Sequence, residues 1–168
     1  ICALELEREK DPQRYGKGPF EIGLWVGKAA TPNKMGKKGD GQQDTARSRV
    51  TYFKNDPGKW AAPIPLEACP WCGTKFVPES FCLCPDADNP KDLRVVCADF
   101  ECEFAGSRPL PVVAVDEPLY RRLPAFLIAT VDKFASLPWV GLSGKLLGGA
   151  DRADSEGFYG PAEPGMGS

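Results

Sequence analysis

The chain contains no histidine. Catalytic schemes that need an imidazole base are therefore excluded within it, as are metal sites of the mixed Cys/His kind. No apolar run reaches the roughly 18 residues that a membrane-spanning helix requires, so no membrane partner is expected. Nor is there a strong excess of one charge. Lys plus Arg number 21 and Asp plus Glu 23, which leaves a net of −2 over 168 residues. That balance excludes a strongly basic nucleic-acid arm and an acidic disordered tail, while local basic patches remain open. The chain begins Ile1-Cys2-Ala3-Leu4-Glu5, with neither an initiator methionine nor a secretory leader. The expectation is a piece of a longer, cytoplasmic protein.

Glycine and proline are in excess. The 18 Gly and 17 Pro make up about a fifth of the chain, well above average usage. Short elements joined by many turns are expected rather than a long helical bundle. Cysteine is also abundant, and unevenly placed: six of the seven lie between 69 and 102. The odd total and the missing leader argue against a secreted disulfide framework. The spacing points to metal. Cys69-Pro70-Trp71-Cys72-Gly73 is a CxxC turn in which Pro fixes φ and Gly lets the backbone curl until amide groups face the sulfurs. Cys97 and Cys102 form a CxxxxC arm, and the stretch from Cys72 to Cys97 leaves room for a hairpin. Cys69, Cys72, Cys97 and Cys102 thus compose a structural Zn2+ site of zinc-ribbon type. Cys82-Leu83-Cys84 offers competing ligands or ordinary loop thiols. Cys2 is expected as a small buried apolar residue. A redox CxxC is disfavoured, because the Gly/Pro-rich flanks suggest a knuckle rather than a helix N-terminus.

Along the chain, residues 4–10 are helix-compatible and stop at Asp11-Pro12. Residues 20–27 alternate in the manner of a strand. Residues 28–49 read as a loop with six Lys and Arg against two Asp, a net of +4. This tract is either a phosphate-backbone contact or a solvated loop. A short strand covers 93–96. Buried-type strands are expected at 111–116 and 126–130, followed by a short helix or turn at 117–123 and a helix start at 131–137. The order strand, helix, strand, helix with continuous apolar strands marks parallel α/β packing. The domains expected are 1–62 (strand and basic loop), 63–108 (zinc-ribbon-like insertion), 109–149 (α/β segment) and 150–168 (loop or flexible tail).

Two motifs bear on chemistry. Val112-Val113-Ala114-Val115-Asp116-Glu117 has the outline of a Walker B strand. No GxxxxGK[ST] loop accompanies it, so a nucleotide site is not expected in this chain. Phe126 to Phe134 places Thr130, Asp132 and Lys133 where a strand gives way to a helix. A hydroxyl, helix amides and an ammonium together suit a nucleic-acid phosphate. A helix capped by Thr130 or Asp132 fits the same residues.

Taken in order, Phe20 to Gly27, Ala30-Thr31-Pro32-Asn33, the Cys-Pro-Trp-Cys-Gly knuckle, Cys97-x4-Cys102-x-Phe104, Val115 to Arg121 and Leu127 to Ala135 resemble a known family. It is the interior of the first RecA-like domain of large bacterial superfamily-two helicase-like proteins, of the kind found in DISARM-type anti-phage systems. The resemblance spans most of residues 15–149. It implies partial RecA-like parallel sheet elements with a zinc-ribbon insertion. It also implies a segment of an ATP-dependent DNA helicase or translocase, with DNA and other defence-system proteins as partners. Ala129 to Phe134 is similar to the helicase "TPxR/TPDK" element, so Thr130, Asp132 and Lys133 would touch the nucleic-acid backbone. On this resemblance Walker A precedes residue 1 and the DExH box follows the chain. ATP and Mg2+ would then be bound only in the parent protein, and this chain alone would be inactive. The CxC at 82–84 has no counterpart in it. A zinc-binding protein-interaction module without a nucleic-acid role is the alternative from another class.

Overall fold

The computed structural model describes residues 1–139, 141–150, 152–154 and 157–159. Strand β1 (Ile22–Trp25) is the middle of a three-stranded parallel sheet. It lies between β4 (Val112–Val113) and β5 (Phe126–Ala129). Ile22 stands opposite both Val112 and Phe126, and Trp25 opposite Ala129. Parallel strands need a crossover, and helix α4 (Asp116–Arg122) carries the chain from β4 past β1 to β5. Its first turn holds Asp116 and Glu117 and its last Arg121 and Arg122, which complements the helix dipole at both ends. Gly23 is needed for close approach. A Cβ there would fall 2.6 Å from Pro124 Cγ and 2.9 Å from Leu127 Cδ1. Trp25, Val113, Leu119 and Tyr120 form the apolar cluster between sheet and α4.

The second layer is built around the cysteines. Strands β2 (Phe81–Cys84) and β3 (Asp92–Val95) form an antiparallel hairpin with Phe81 opposite Val95. Helix α3 (Ala46–Asn55) covers it. Thr45 caps this helix, its Oγ1 accepting from Ser48 N while Ser48 Oγ accepts from Thr45 N. Ala46, Val50 and Phe53, spaced by four and three residues, turn one stripe inward. One continuous apolar cluster joins these residues to Phe81, Val95, Cys97, Phe104, Leu110 and Val115. The knuckle and the sheet therefore share a core. Arg122 ties the layers electrostatically, binding both Glu21 and the Asp92 carboxylate, the latter at 2.9 Å. At the N-terminus, α1 (Cys2–Lys10) and α2 (Pro12–Tyr15) precede β1. Glu5 is buried, and its carboxylate accepts from Arg8 and from Phe20 N.

The elements differ from the sequence expectations in instructive places. The stretch 28–49 is not all loop, since α3 begins at Ala46 inside it. Its lysines and glycines hide a helical stripe whose remaining members lie beyond the tract. The strand at 111–116 shortens to Val112–Val113, because α4 starts at Asp116. The strand at 126–130 is not buried on both faces. Phe126 and Ile128 are 53% and 51% exposed, as only one face of β5 packs against the body. Cys82 and Cys84 lie on β2 rather than in a loop. Helix α5 (Val131–Ser136) follows β5. Beyond it, β6 (Arg152–Asp154) pairs antiparallel with β7 (Gly157–Tyr159) where a loop or tail was expected; residues 160–168 lie outside the described residues. No described helix is long and apolar enough to cross a membrane.

Candidate metal centre

Two short arms present four sulfurs to one point. In the first, Cys69 N donates to Thr74 O at 2.8 Å and Gly73 N to Cys69 O at 2.9 Å, which closes the turn. Gly73 has φ +83°, a left-handed conformation that the knuckle requires and other residues resist. In the second, Cys97 N donates to Phe104 O at 2.7 Å and Cys102 N to Asp99 O at 3.1 Å. The same arm aims amides at sulfur: Asp99 N lies 3.4 Å from Cys97 Sγ and Phe104 N 3.5 Å from Cys102 Sγ. Such N–H···S contacts stabilise thiolates and orient them toward an ion.

The sulfurs of Cys69, Cys72, Cys97 and Cys102 all lie within 4.8 Å of one another. Cys69 and Cys102 are 3.9 Å apart at sulfur, and Cys72 and Cys97 are 3.4 Å apart. A disulfide needs about 2.05 Å. An ion holding four thiolates at about 2.3 Å in a tetrahedron separates them by about 3.8 Å. The observed spacing matches the second geometry. Cys69 and Cys97 are buried and Cys72 is exposed. The Thr74 hydroxyl, 3.3 Å from Cys72 Sγ, together with the Thr74 backbone holds that thiol down at about 6. Burial pushes Cys97 up to about 12 and raises Cys102 as well. Four thiols this close cannot all ionise without a cation to offset their repulsion. The residues therefore suit a soft divalent metal. Cys82 and Cys84 stand outside the group, their sulfurs directed at Glu79 O and Cys82 O.

The second cluster of chemistry lies beyond the carboxyl ends of the parallel strands. Thr130 occupies the N-cap position of α5, but its side chain makes no capping bond. Asp132 is exposed, and contact with the Thr130 hydroxyl holds its carboxyl below the usual range. Lys133 turns inward. Its Nζ donates to Asp116 Oδ2 at 2.7 Å and to Asn33 Oδ1 at 3.3 Å, and stands 5.8 Å from the centre of the Trp25 ring. Burial raises the Asp116 carboxyl, while Lys133 opposes that shift. Trp25 Nε1 lies beside the Asp116 carboxylate and the Thr130 hydroxyl beside that of Asp132, while among the described residues Trp25 Nε1, Asp116 Oδ1 and Thr130 Oγ1 are buried without a close hydrogen bond. All three belong to this corner, where Thr130 N donates to Trp25 O. Sequence reasoning named Thr130 and Lys133 here but not Trp25 or Asn33. It had set Asp116 aside as an incomplete Walker B residue, and the 100 or more residues separating Asn33 from Lys133 and Trp25 from Thr130 leave no local pattern to find.

Together these features define a small parallel α/β unit whose neighbouring layer carries a knuckle of four gathered cysteines. No protein-family model matches the chain. It is 33% identical over 153 residues to DISARM protein DrmA of Bacillus paralicheniformis (strain ATCC 9945a / NCIMB 11709 / CD-2). The match covers 90% of this chain and 13% of that relative, so the chain spans about an eighth of the length of the curated protein it matches.

Proposed function

We propose that the chain is a zinc-stapled segment of a DISARM-type anti-phage protein, helicase-related, in which it shapes the path of DNA. Homology to DrmA over nine-tenths of the chain supports the defence-protein assignment. The nucleic-acid role is supported by one observation: Trp25 Nε1, Asp116 Oδ1 and Thr130 Oγ1, buried without a close hydrogen bond, gather beside Lys133 at the carboxyl ends of parallel strands. Buried polar groups are almost always satisfied, and open parallel sheets bind their ligands at that edge. A backbone phosphate at this edge would meet Lys133, still paired with Asp116, and the Thr130 hydroxyl as a further donor. Asp132 stays at the rim. Zn2+ is structural in this reading, closed off by four thiolates with no open position for substrate. ATP hydrolysis belongs to the parent protein, since this chain has no phosphate-binding loop.

The test is the salt dependence of DNA binding in the full-length protein. Each lysine–phosphate contact contributes about one unit to the slope of log affinity against log salt. Lys133→Ala is expected to weaken binding evenly across sequences and to flatten the slope by about that amount. Unchanged affinity and slope would remove these residues from the DNA path. A protein-interaction module is the second reading. It is favoured by Phe100, 96% exposed between Cys97 and Cys102, and by Trp71, 45% exposed on the same knuckle.

A further inference from the structure

The three-stranded sheet has two faces, and only one is covered across its width. Residues paired in register across parallel strands point to the same side. Gly23 shares its side with Val113 and Leu127, and α4 packs there through Leu119. Val112, Ile22 and Phe126 form a row on the other side, and Leu24 and Ile128 a second row beside it. Exposure rises along the first row. Val112 is 5% exposed, Ile22 is half-buried and Phe126 is half exposed. The second row repeats the trend from Leu24 to Ile128. The cover on this side belongs to the core of the cysteine layer, into which Val112, Ile22 and Leu24 pack. Ile1, Leu66 and Pro70 line an apolar notch of about 150 Å³ with those three, and neither Phe126 nor Ile128 reaches it. The cover therefore stops over β1. Parallel sheets are buried on both faces, so the β5 side of this one lacks a layer.

The topology says what the layer is made of. The connection from β1 to β4 carries the cysteine layer and lies on one face; the connection from β4 to β5 runs the opposite way across the sheet and lays α4 on the other. Opposite directions on opposite faces give both connections the same hand, as parallel crossovers require. By the same rule, a connection coming from beyond β5 toward β1 or β4 runs over the open face and lays its helix on Phe126 and Ile128. Among the described residues no strand pairs with the outer edge of β5, so that position is vacant for a strand to start from. The width fits as well. Strands lie about 4.8 Å apart and a helix is about 10 Å across, so one helix spans the uncovered part of β1 and β5. No charged residue stands in either row, which leaves nothing there for a phosphate. The DrmA relative is far longer than the matched stretch, which covers 13% of it, so a parent of that kind has ample chain to supply a helix.

We infer that the face formed by Ile22, Leu24, Phe126 and Ile128 seats an amphipathic helix from the remainder of the parent protein. The inference rests on the reading of this chain as a segment of a longer protein, and not on the nucleic-acid role. It is tested first in the unmodified full-length protein, by hydroxyl-radical footprinting read by mass spectrometry. The rate at each residue is divided by its rate in the urea-unfolded protein. Phe126 and Ile128 are expected to be protected to the level of Val112. Rates of about half the unfolded ones, as their 53% and 51% exposure implies for an open face, would overturn the inference. The occupant is then identified by placing the photocrosslinker benzoylphenylalanine at position 126 or 128 of the full-length protein. Crosslinks are expected within one chain, to residues outside 1–168 spaced three and four apart. Crosslinks that join two chains, stay within 1–168, fall on alternate residues or fail to form would overturn the helix as occupant. A full-length protein no longer than this chain would overturn both the parent reading and the helix. None of these readouts involves DNA, so the salt-slope test of Lys133→Ala is decided apart from them.

Discussion

Asp116 is the residue whose role changes most between its sequence and its surroundings. An acidic residue at the end of an apolar strand looks like a metal or water ligand in an ATP site. In the folded chain it is the buried counter-ion of Lys133, with the Trp25 indole beside the same carboxylate. Such a pair contributes little net stability but becomes costly when one partner is removed. That makes Lys133 a lysine held in a defined place rather than a mobile surface charge. The cysteines illustrate the opposite case, in which residue type and spacing carried the answer. Of six clustered cysteines the chain brings four together, and the CxC pair on β2 stays apart. Replacing one of the four is expected to cost the metal. Cys97→Ser should bring zinc in the purified protein far below one ion per chain, whereas Cys82→Ser should leave it at one. Metal analysis of the two variants side by side checks this, and equal zinc in both would move the ligand set toward the CxC.

At the level of elements, the sheet is short and depends on close contact. Strand β1 spans only four residues and β4 only two, so the crossover helix must press directly on the sheet. Gly23 makes this possible. In Gly23→Ala the new methyl would meet Leu119 of α4, Pro124 of the loop after it and Leu127 of β5 at 3.0 Å or less. Overpacking of this kind typically costs about 1–3 kcal/mol. Urea unfolding is expected to show a loss in that range with an unchanged m-value, and a neutral result would mean that α4 can shift at no cost. The edge strand β5 shows what local pattern cannot tell. Phe126 to Ala129 is apolar throughout, which reads as burial on both faces, yet alternate side chains are half exposed. Whether both faces of an apolar strand are covered depends on its neighbours, not on its own residues.

For the whole molecule, the consequence of a shared core is coupling. Cys69 and Cys97 pack in the same cluster as Val50, Phe81, Val95 and Val112, so the knuckle cannot loosen without disturbing α3 and the sheet. A small layer of hairpin and turns has little apolar surface of its own, which a metal held by the four cysteines would offset. Removing the metal with a chelator is expected to lower the melting temperature of the whole chain in one transition. Near-ultraviolet circular dichroism should report the change, through Trp71 against Phe104 in the knuckle and Trp25 against Tyr120 under α4. Two separate transitions, with the Trp25 signal unmoved, would show that the knuckle is an independent module.

The sequence by itself determined the parallel α/β character, the four-cysteine set and the strand-to-helix element at 126–134. Each is written in local terms: apolar runs, ligand spacing and turn residues act over a few positions and survive any packing. Helix α3 was legible only in part, because the Lys- and Gly-rich tract before it obscured the stripe formed by Ala46, Val50 and Phe53. The partners of Lys133, the exposure of β5, the sharing of one core by knuckle and sheet, and the stacking of Tyr52 on Trp60 were decided by tertiary structure. Asn33 and Lys133 are 100 positions apart, and Glu21 and Arg122 are 101 apart. Contacts of that separation leave no period or spacing in one chain. They arise when parallel strands bring distant segments side by side, and burial then sets which charges must pair and which faces stay open.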